Sequence, residues 1–427
     1  MRAKKSTLVL SLILASLLFY IFVIDLPSEL RKKEESKLIP WATEDISAIE
    51  LRVDSKKLDA RIVRLNKDSW KIVSPVETLA DDFTITLIFS SIEDAKKDKV
   101  ADSGDPKEYG LDKPEIVFEL ENKKGEKLTL LFGKENPITS ERYLMVEGDK
   151  AIYLVSSYIY KQLSQDLYSL RKKDMIPENT LAVESFTLSY VRPSREYSFR
   201  RTENDIWEIL SPVTIPVSQD KVTDILWDIV ESKAEDIIDH PKDLKEYGLD
   251  SPQLIVKLKT KDGKEYEILY SWSEDGRSLW GMVKGGISVY KFGKYVPRTL
   301  RVRSIDDLLD KRPLRGSYYT LSSIVVEYPD GEKISLKEEN GKWTGVENAD
   351  KLARELCDVE ADKAIYKGEI PSDAKLVFKV TAEDALKKVR VEYYEGIENG
   401  WVKDLDYPIV YKLDKPLEEL LPSFIKK

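Results

Sequence analysis

The 427-residue chain has one cysteine, Cys357, and one histidine, His240, and these scarcities exclude whole classes of chemistry. A lone cysteine forms no internal disulfide, and one at position 357 cannot carry an N-terminal lipid. A metal centre needs several His, Cys or carboxylate ligands converging in space, and a single histidine and a single cysteine contribute little to one. His240, in Asp239-His240-Pro241, reads as a surface loop residue. Cys357, on the apolar side of a short helix with Leu352 and Leu356, reads as a buried structural thiol. Gly-x-Ser-x-Gly, Gly-x-Gly-x-x-Gly and Walker-type loops are absent, so no nucleophile elbow or phosphate cradle is written here. Nothing singles out a Ser-Lys dyad. The acidic pairs Asp81-Asp82, Asp306-Asp307 and Glu418-Glu419 resemble glycosidase carboxylates only in type, since each lies at a helix start or on a helix, where acids suit the dipole. The expectation is a non-enzymatic protein with no catalytic residue, cofactor or metal.

Charge is plentiful but not basic: 77 acidic residues face 68 basic ones. Arg2, Lys4 and Lys5 precede the one long uncharged stretch and no acid does, so the remainder is more acidic than the chain's net −9. That balance argues against nucleic acid or an anionic lipid surface as a broad partner. Residues 7–24 are uncharged, and as a helix they would span about 27 Å, the thickness of a bilayer's hydrocarbon core. The run ends without Ala-x-Ala, which favours an uncleaved anchor over a signal peptide. The leading positive charges place the N-terminus in the cytoplasm and the bulk outside the cell membrane, as a single-pass protein. Residues 26–44 read as a charged juxtamembrane stalk.

What the chain does have is a repeat. Tyr109-Gly110-Leu111-Asp112-Lys113-Pro114 returns as Tyr247-Gly248-Leu249-Asp250-Ser251-Pro252. Upstream, Trp70-Lys71-Ile72-Val73-Ser74-Pro75-Val76 returns as Trp207-Glu208-Ile209-Leu210-Ser211-Pro212-Val213. The two intervals agree to within one residue, so both pairs belong to one period. Trp343 follows Trp207 at nearly the same interval, marking a third and more divergent copy without the turn motif. In each turn the glycine supplies a backbone conformation closed to other residues, the aspartate is expected to bond neighbouring amides, and the proline steers the chain into a strand. Strands at 115–120 and 127–132, and at 253–258 and 265–270, then form hairpins across Lys124-Gly125 and Asp262-Gly263.

These paired turns, the Trp-x-Ile-x-Ser-Pro-Val segment with Leu210 replacing Val73 in its second copy, and the N-terminal hydrophobic run together resemble the DUF4340 family of membrane-associated proteins. The resemblance runs from about the first tryptophan unit to the end of the chain. It implies no chemistry and carries over no functional residue. It does imply a neighbour of the ABC-transporter permease kind.

The remaining pattern predicts an α+β protein: a transmembrane helix followed by three tandem repeats, each a mostly antiparallel sheet with one or two packing helices. The boundaries read as 1–25 for the cytoplasmic tip and anchor, 26–44 for the stalk, and 45–175, 176–314 and 315–427 for the repeats. Packing helices are expected at 80–92, with Phe83, Leu87 and Ile88 on the apolar face, at 219–232, and near 350–356. Closing helices are expected at 156–170 and 292–300. For binding, Trp272, Trp280, Tyr290 and Tyr295 crowd the second repeat and would suit sugars or peptides, though cross-strand packing explains them as well. The functional expectation is an extracytoplasmic scaffold or accessory subunit of an ABC-type transporter or envelope complex. A glycan- or peptide-binding module and an envelope hydrolase of unfamiliar site are the alternatives.

Overall fold

Ile116–Asn122 buries every second residue, Ile116, Phe118, Leu120 and Asn122, as a strand with one covered face must. Leu254–Thr260 alternates in the same way. Each sits at the middle of a wholly antiparallel sheet. A computed structural model describes residues 13–21, 23, 37–93, 95–101, 104–293, 295–385 and 387–425. The sheets have nine, eight and eight strands.

The three share one strand order. In the second repeat it runs Trp207–Ser211, Arg195–Arg201, Val183–Tyr190, Leu254–Thr260, Glu265–Trp272, Ser278–Val283, Ser288–Gly293 and Asp236–Asp239. Two meanders therefore meet at a central ladder, where Leu188 pairs with Val256. After Trp207–Ser211 the chain leaves one edge, passes through the Gln219–Val230 helix, and arrives at the other edge as Asp236–Asp239. The turn motif then returns it to the centre. The first repeat adds the two-residue edge strand Thr78–Leu79, and the third follows the same order from Lys342–Thr344 to Lys363–Tyr366, confirming Trp343 as the marker of a third copy.

The crossing helices bury apolar stripes. Gln219–Val230 buries Val222, Ile225, Leu226 and Ile229. Asp82–Glu93 buries Ile85, Ile88, Phe89 and Ile92; of the expected face Ile88 is buried, but Phe83 is 72% exposed and Leu87 only half-buried. The buried stripe, Ile85, Ile88, Phe89 and Ile92, runs along the side of the helix opposite Phe83. The closing segments are also shorter than expected. Residues 156–170 split into Ser157–Leu163 and Leu167–Leu170, the second capped by Asp166, whose side chain accepts from Ser169 N–H. Phe292 ends a strand, Ser288–Gly293, and only Val296–Thr299 is helical.

The chain divides into two units, Met1–Lys173 and Asp174–Lys427. The first holds one repeat, with Leu38 and Ile39 buried in its core, so those two residues belong to the folded part. The second unit holds the other two repeats around one continuous core, in which Leu314 is buried at the junction. Ala361 N–H donates to Lys311 O at 2.9 Å, and Tyr366 N–H to Asp306 Oδ1 at 2.7 Å, tying the third sheet's edge to the second repeat. Of the apolar run 7–24, residues 7–12, 22 and 24 lie outside the described residues, as do residues 26–36; residues 13–20 are helical. Among the described residues no helix is long and apolar enough to cross a membrane.

Candidate functional site

The recurrent turn is a capped 3₁₀ helix. Asp105 accepts from Lys107 N–H at the start of Pro106–Tyr109, and Asp243 accepts from Lys245 N–H at the start of Leu244–Tyr247. Gly110 (φ 71°) and Gly248 (φ 67°) end these turns in the left-handed region. Leu111 N–H reaches Pro106 O at 2.8 Å and Leu249 N–H reaches Leu244 O at 3.0 Å, and both leucine side chains are buried. The capping acid is therefore not the one expected: Asp112 and Asp250 are exposed, and the amides are held by the aspartate four residues before the tyrosine. Both copies carry that aspartate, which is the signal that would have found it. Beyond Pro114 and Pro252, Glu115 N–H and Gln253 N–H donate to Phe132 O and Tyr270 O, each at 2.9 Å, starting the central strand.

The tyrosines are packing residues. Tyr109 meets Tyr143 edge-on at 4.8 Å, and Tyr247 meets Trp280 at 4.9 Å, so the same contact is made at equivalent positions of two repeats. Around Tyr247, Leu249, Met282 and Val289 form a small second core on the sheet face away from Leu279 and Phe292.

That arrangement separates the aromatic candidates. Trp280 pairs with Ser271 and Trp272 with Leu279, so the two tryptophans alternate onto opposite faces. Tyr290, opposite Gly281, packs against the main core, and Tyr295 is 77% exposed outside the sheet. They do not form one stacking platform. Trp272 alone borders a cavity of about 430 Å³. Its Nε1–H donates to Pro297 O at 2.7 Å.

Two of the three acidic pairs are occupied by the backbone. Asp81 Oδ1 accepts from Thr84 N–H at 2.8 Å, Asp306 from Tyr366 N–H, and Asp307 Oδ2 from Arg303 N–H at 2.7 Å. Glu418 and Glu419 stand in the first turn of Leu417–Leu420, where Glu419 pairs with Lys415 at 3.7 Å. His240 is exposed, and burial pushes the Cys357 thiol up to about 12. In the first repeat Tyr160 Oη donates to Glu115 Oε2 at 2.5 Å beneath Arg142, and burial with that bond pushes the phenol up to about 12. Among the described residues no group of three His, Cys, Asp or Glu side chains is placed to hold a metal.

One relation common to all three repeats escaped the sequence reading. The amide of each marker tryptophan donates to the side chain at the start of the crossing helix: Trp70 to Asp82 Oδ1 at 3.2 Å, Trp207 to Gln219 Oε1 at 2.7 Å and Trp343 to Asp350 Oδ1 at 3.0 Å. The interval from tryptophan to acceptor is constant in the first two repeats and shorter in the third.

In comparison with known proteins, the family model for the domain of unknown function DUF4340 matches residues 70–207 and, again, 207–376. Both matches begin at a marker tryptophan, so the family unit runs from the third strand of one sheet into the next sheet. No curated protein and no solved structure matches the chain.

Proposed function

The chain belongs to the DUF4340 family, and on that premise we propose that it is a non-enzymatic, membrane-anchored extracytoplasmic scaffold, an accessory subunit offering surfaces to an integral-membrane partner such as an ABC-type permease. One observation carries this reading: the recurring glycines, capping aspartates, leucines, tyrosines and tryptophans are engaged in folding. Gly110 and Gly248 end turns, Asp105 and Asp243 cap them, and the tryptophan amides tie strand to helix. Surface residues outside these motifs also differ between copies, and a partner would meet them there. The test is a mild-detergent pull-down of the full chain from its native membrane, with mass spectrometry, beside a version beginning at Lys37, which keeps the buried Leu38 and Ile39. Recovery of a permease and an ATPase with the full chain, weakened without residues 1–36, is the expected result. Recovery of the protein alone in both cases would refute the proposal. A ligand-binding role is favoured by the cavity beside Trp272.

A further inference from the structure

Several arginines of the chain are matched by acid. Arg61 meets Glu50 and Glu121, Arg142 meets Glu115 and Glu135, Arg201 meets Asp205 and Arg390 meets Asp406. Five neighbouring arginines of the second repeat are not matched in this way. Among the described residues, Arg192, Arg195, Arg298, Arg301 and Arg303 enter no ion pair. They are also together. Arg192, Arg195, Arg301 and Arg303 line the cavity beside Trp272, and no acidic side chain lines it. A second hollow of about 420 Å³ shares Arg301 and Arg303 and adds Arg298 and Lys221. Its one acid, Asp307, is held by the amides of Arg303 and Ser304, at 2.7 and 3.4 Å.

Parts of the cavity wall are held in place. The hairpin between Val183–Tyr190 and Arg195–Arg201 supplies Arg192 and Arg195, Gln253 follows the turn motif, and the segment after Val296–Thr299 supplies Arg301 and Arg303. Tyr190 Oη pins that segment, donating to Leu300 O at 2.6 Å and accepting from Val302 N–H at 3.3 Å. Arg195 donates to Arg303 O, while its Nε is buried without a hydrogen-bond partner. Arg301 lies over the Trp272 ring at 5.4 Å and Arg195 over the Tyr190 ring at 5.4 Å, which orients both forks.

The fold does not need these charges. The first repeat has Asp54-Ser55-Lys56-Lys57 at the same hairpin and Ser164-Gln165-Asp166 in the segment after its closing helix. In the third repeat the hairpin is Pro329-Asp330-Gly331, and Tyr328 Oη donates to Phe424 O at 3.0 Å much as Tyr190 does to Leu300 O. One scaffold thus occurs three times, and one copy alone gathers guanidinium groups. Like charges held together repel, and the planar fork of arginine matches carboxylate and phosphate oxygens two at a time.

We propose that this pocket of the second repeat binds a small multivalent oxyanion carrying phosphate or carboxylate groups. The site stands apart from the scaffold role, and the outcome of a pull-down leaves it untouched. The test is calorimetric titration of the full chain, in neutral detergent and low salt, with inorganic pyrophosphate, citrate and dihexanoyl phosphatidic acid. Saturable binding of at least one is expected, weakened about tenfold or more in the Arg301→Gln/Arg303→Gln variant, since a tenfold loss corresponds to ~1.4 kcal/mol and a charge-assisted bond is worth more. Arg200→Gln, which removes a paired arginine of the same repeat, should leave binding unchanged. A preference for the phosphatidic acid identifies a lipid headgroup as the source, and a preference for pyrophosphate or citrate identifies a soluble one. If the double variant does not fold, Arg192→Gln at the exposed hairpin tip carries the test. Absence of binding to all three probes, or binding that survives the substitutions, overturns the proposal.

Discussion

Gln219 holds the backbone of Trp207 from both sides: its Oε1 accepts from Trp207 N–H at 2.7 Å and its Nε2 donates to Trp207 O at 2.9 Å. The third strand of the sheet is thereby fastened to the first residue of the crossing helix. Trp207 is buried, so an alanine at 219 strands a donor and an acceptor that water reaches poorly. Gln219→Ala should lower stability by about 1–3 kcal/mol, read as a fall in the urea midpoint at unchanged slope. An unchanged midpoint would show that the bond pair is ornamental.

The turn motif offers a separation of two kinds of glycine. Gly110 is left-handed, and alanine there costs the conformational preference, about 1–2 kcal/mol. Gly133, on the facing strand, is constrained by space instead: a Cβ would lie 2.2 Å from Tyr109 O. Gly133→Ala should therefore destabilise the first unit more than Gly110→Ala does, because the turn must lift off the strand. Thermal melts of the two variants, side by side, check the order.

Arg315 and Asp404 form an ion pair with side chains 6% and 0% exposed. Burial pushes the Asp404 carboxyl up, against the pull of Arg315 and of the Asp406 and Tyr407 amides. In Arg315→Met the carboxyl loses its cation and rises further. A carboxyl raised in the folded state contributes stability that is present below its unfolded value and lost as pH rises through the folded one. The variant should lose about 3–5 kcal/mol near neutral pH and progressively less towards acid, where Asp404 is protonated. Urea midpoints along a pH series test this, and a pH-independent loss would contradict it.

Cys357 is buried and its thiol is pushed up to about 12. The folded protein should leave a thiol-specific disulfide reagent unreacted near neutral pH, and the urea-unfolded protein should consume one equivalent. Rapid reaction of the folded chain would mean that the helix Ala349–Cys357 opens readily.

The repeats, the hairpins and the class of fold were legible because their signals are local. Alternation in Ile116–Asn122 and the glycine turn at Lys124-Gly125 declare themselves within a dozen residues. The edge strands Asp98–Ala101, Asp236–Asp239 and Lys363–Tyr366 did not. Each is four residues long, and its pairing is decided by a partner far along the chain, as Ile237 is by Tyr290. The aromatic cluster of the second repeat misled for the opposite reason, since closeness in sequence on adjacent strands sends alternate residues to opposite faces. The arginine pocket was hidden twice: an acidic total charge masks a local basic group, and its parts come from positions near 192 and near 301.

Each repeat opens with the strand that ends in the middle of its sheet: Ile46–Val53, Val183–Tyr190 and Ser323–Glu327 are all paired on both sides. Tension applied along the chain at the start of a repeat therefore acts on a strand clamped between two ladders. It must shear both at once, where an edge strand would peel away one hydrogen bond at a time. The topology makes each sheet a mechanical clamp, able to carry load along the chain without unravelling from its first residue.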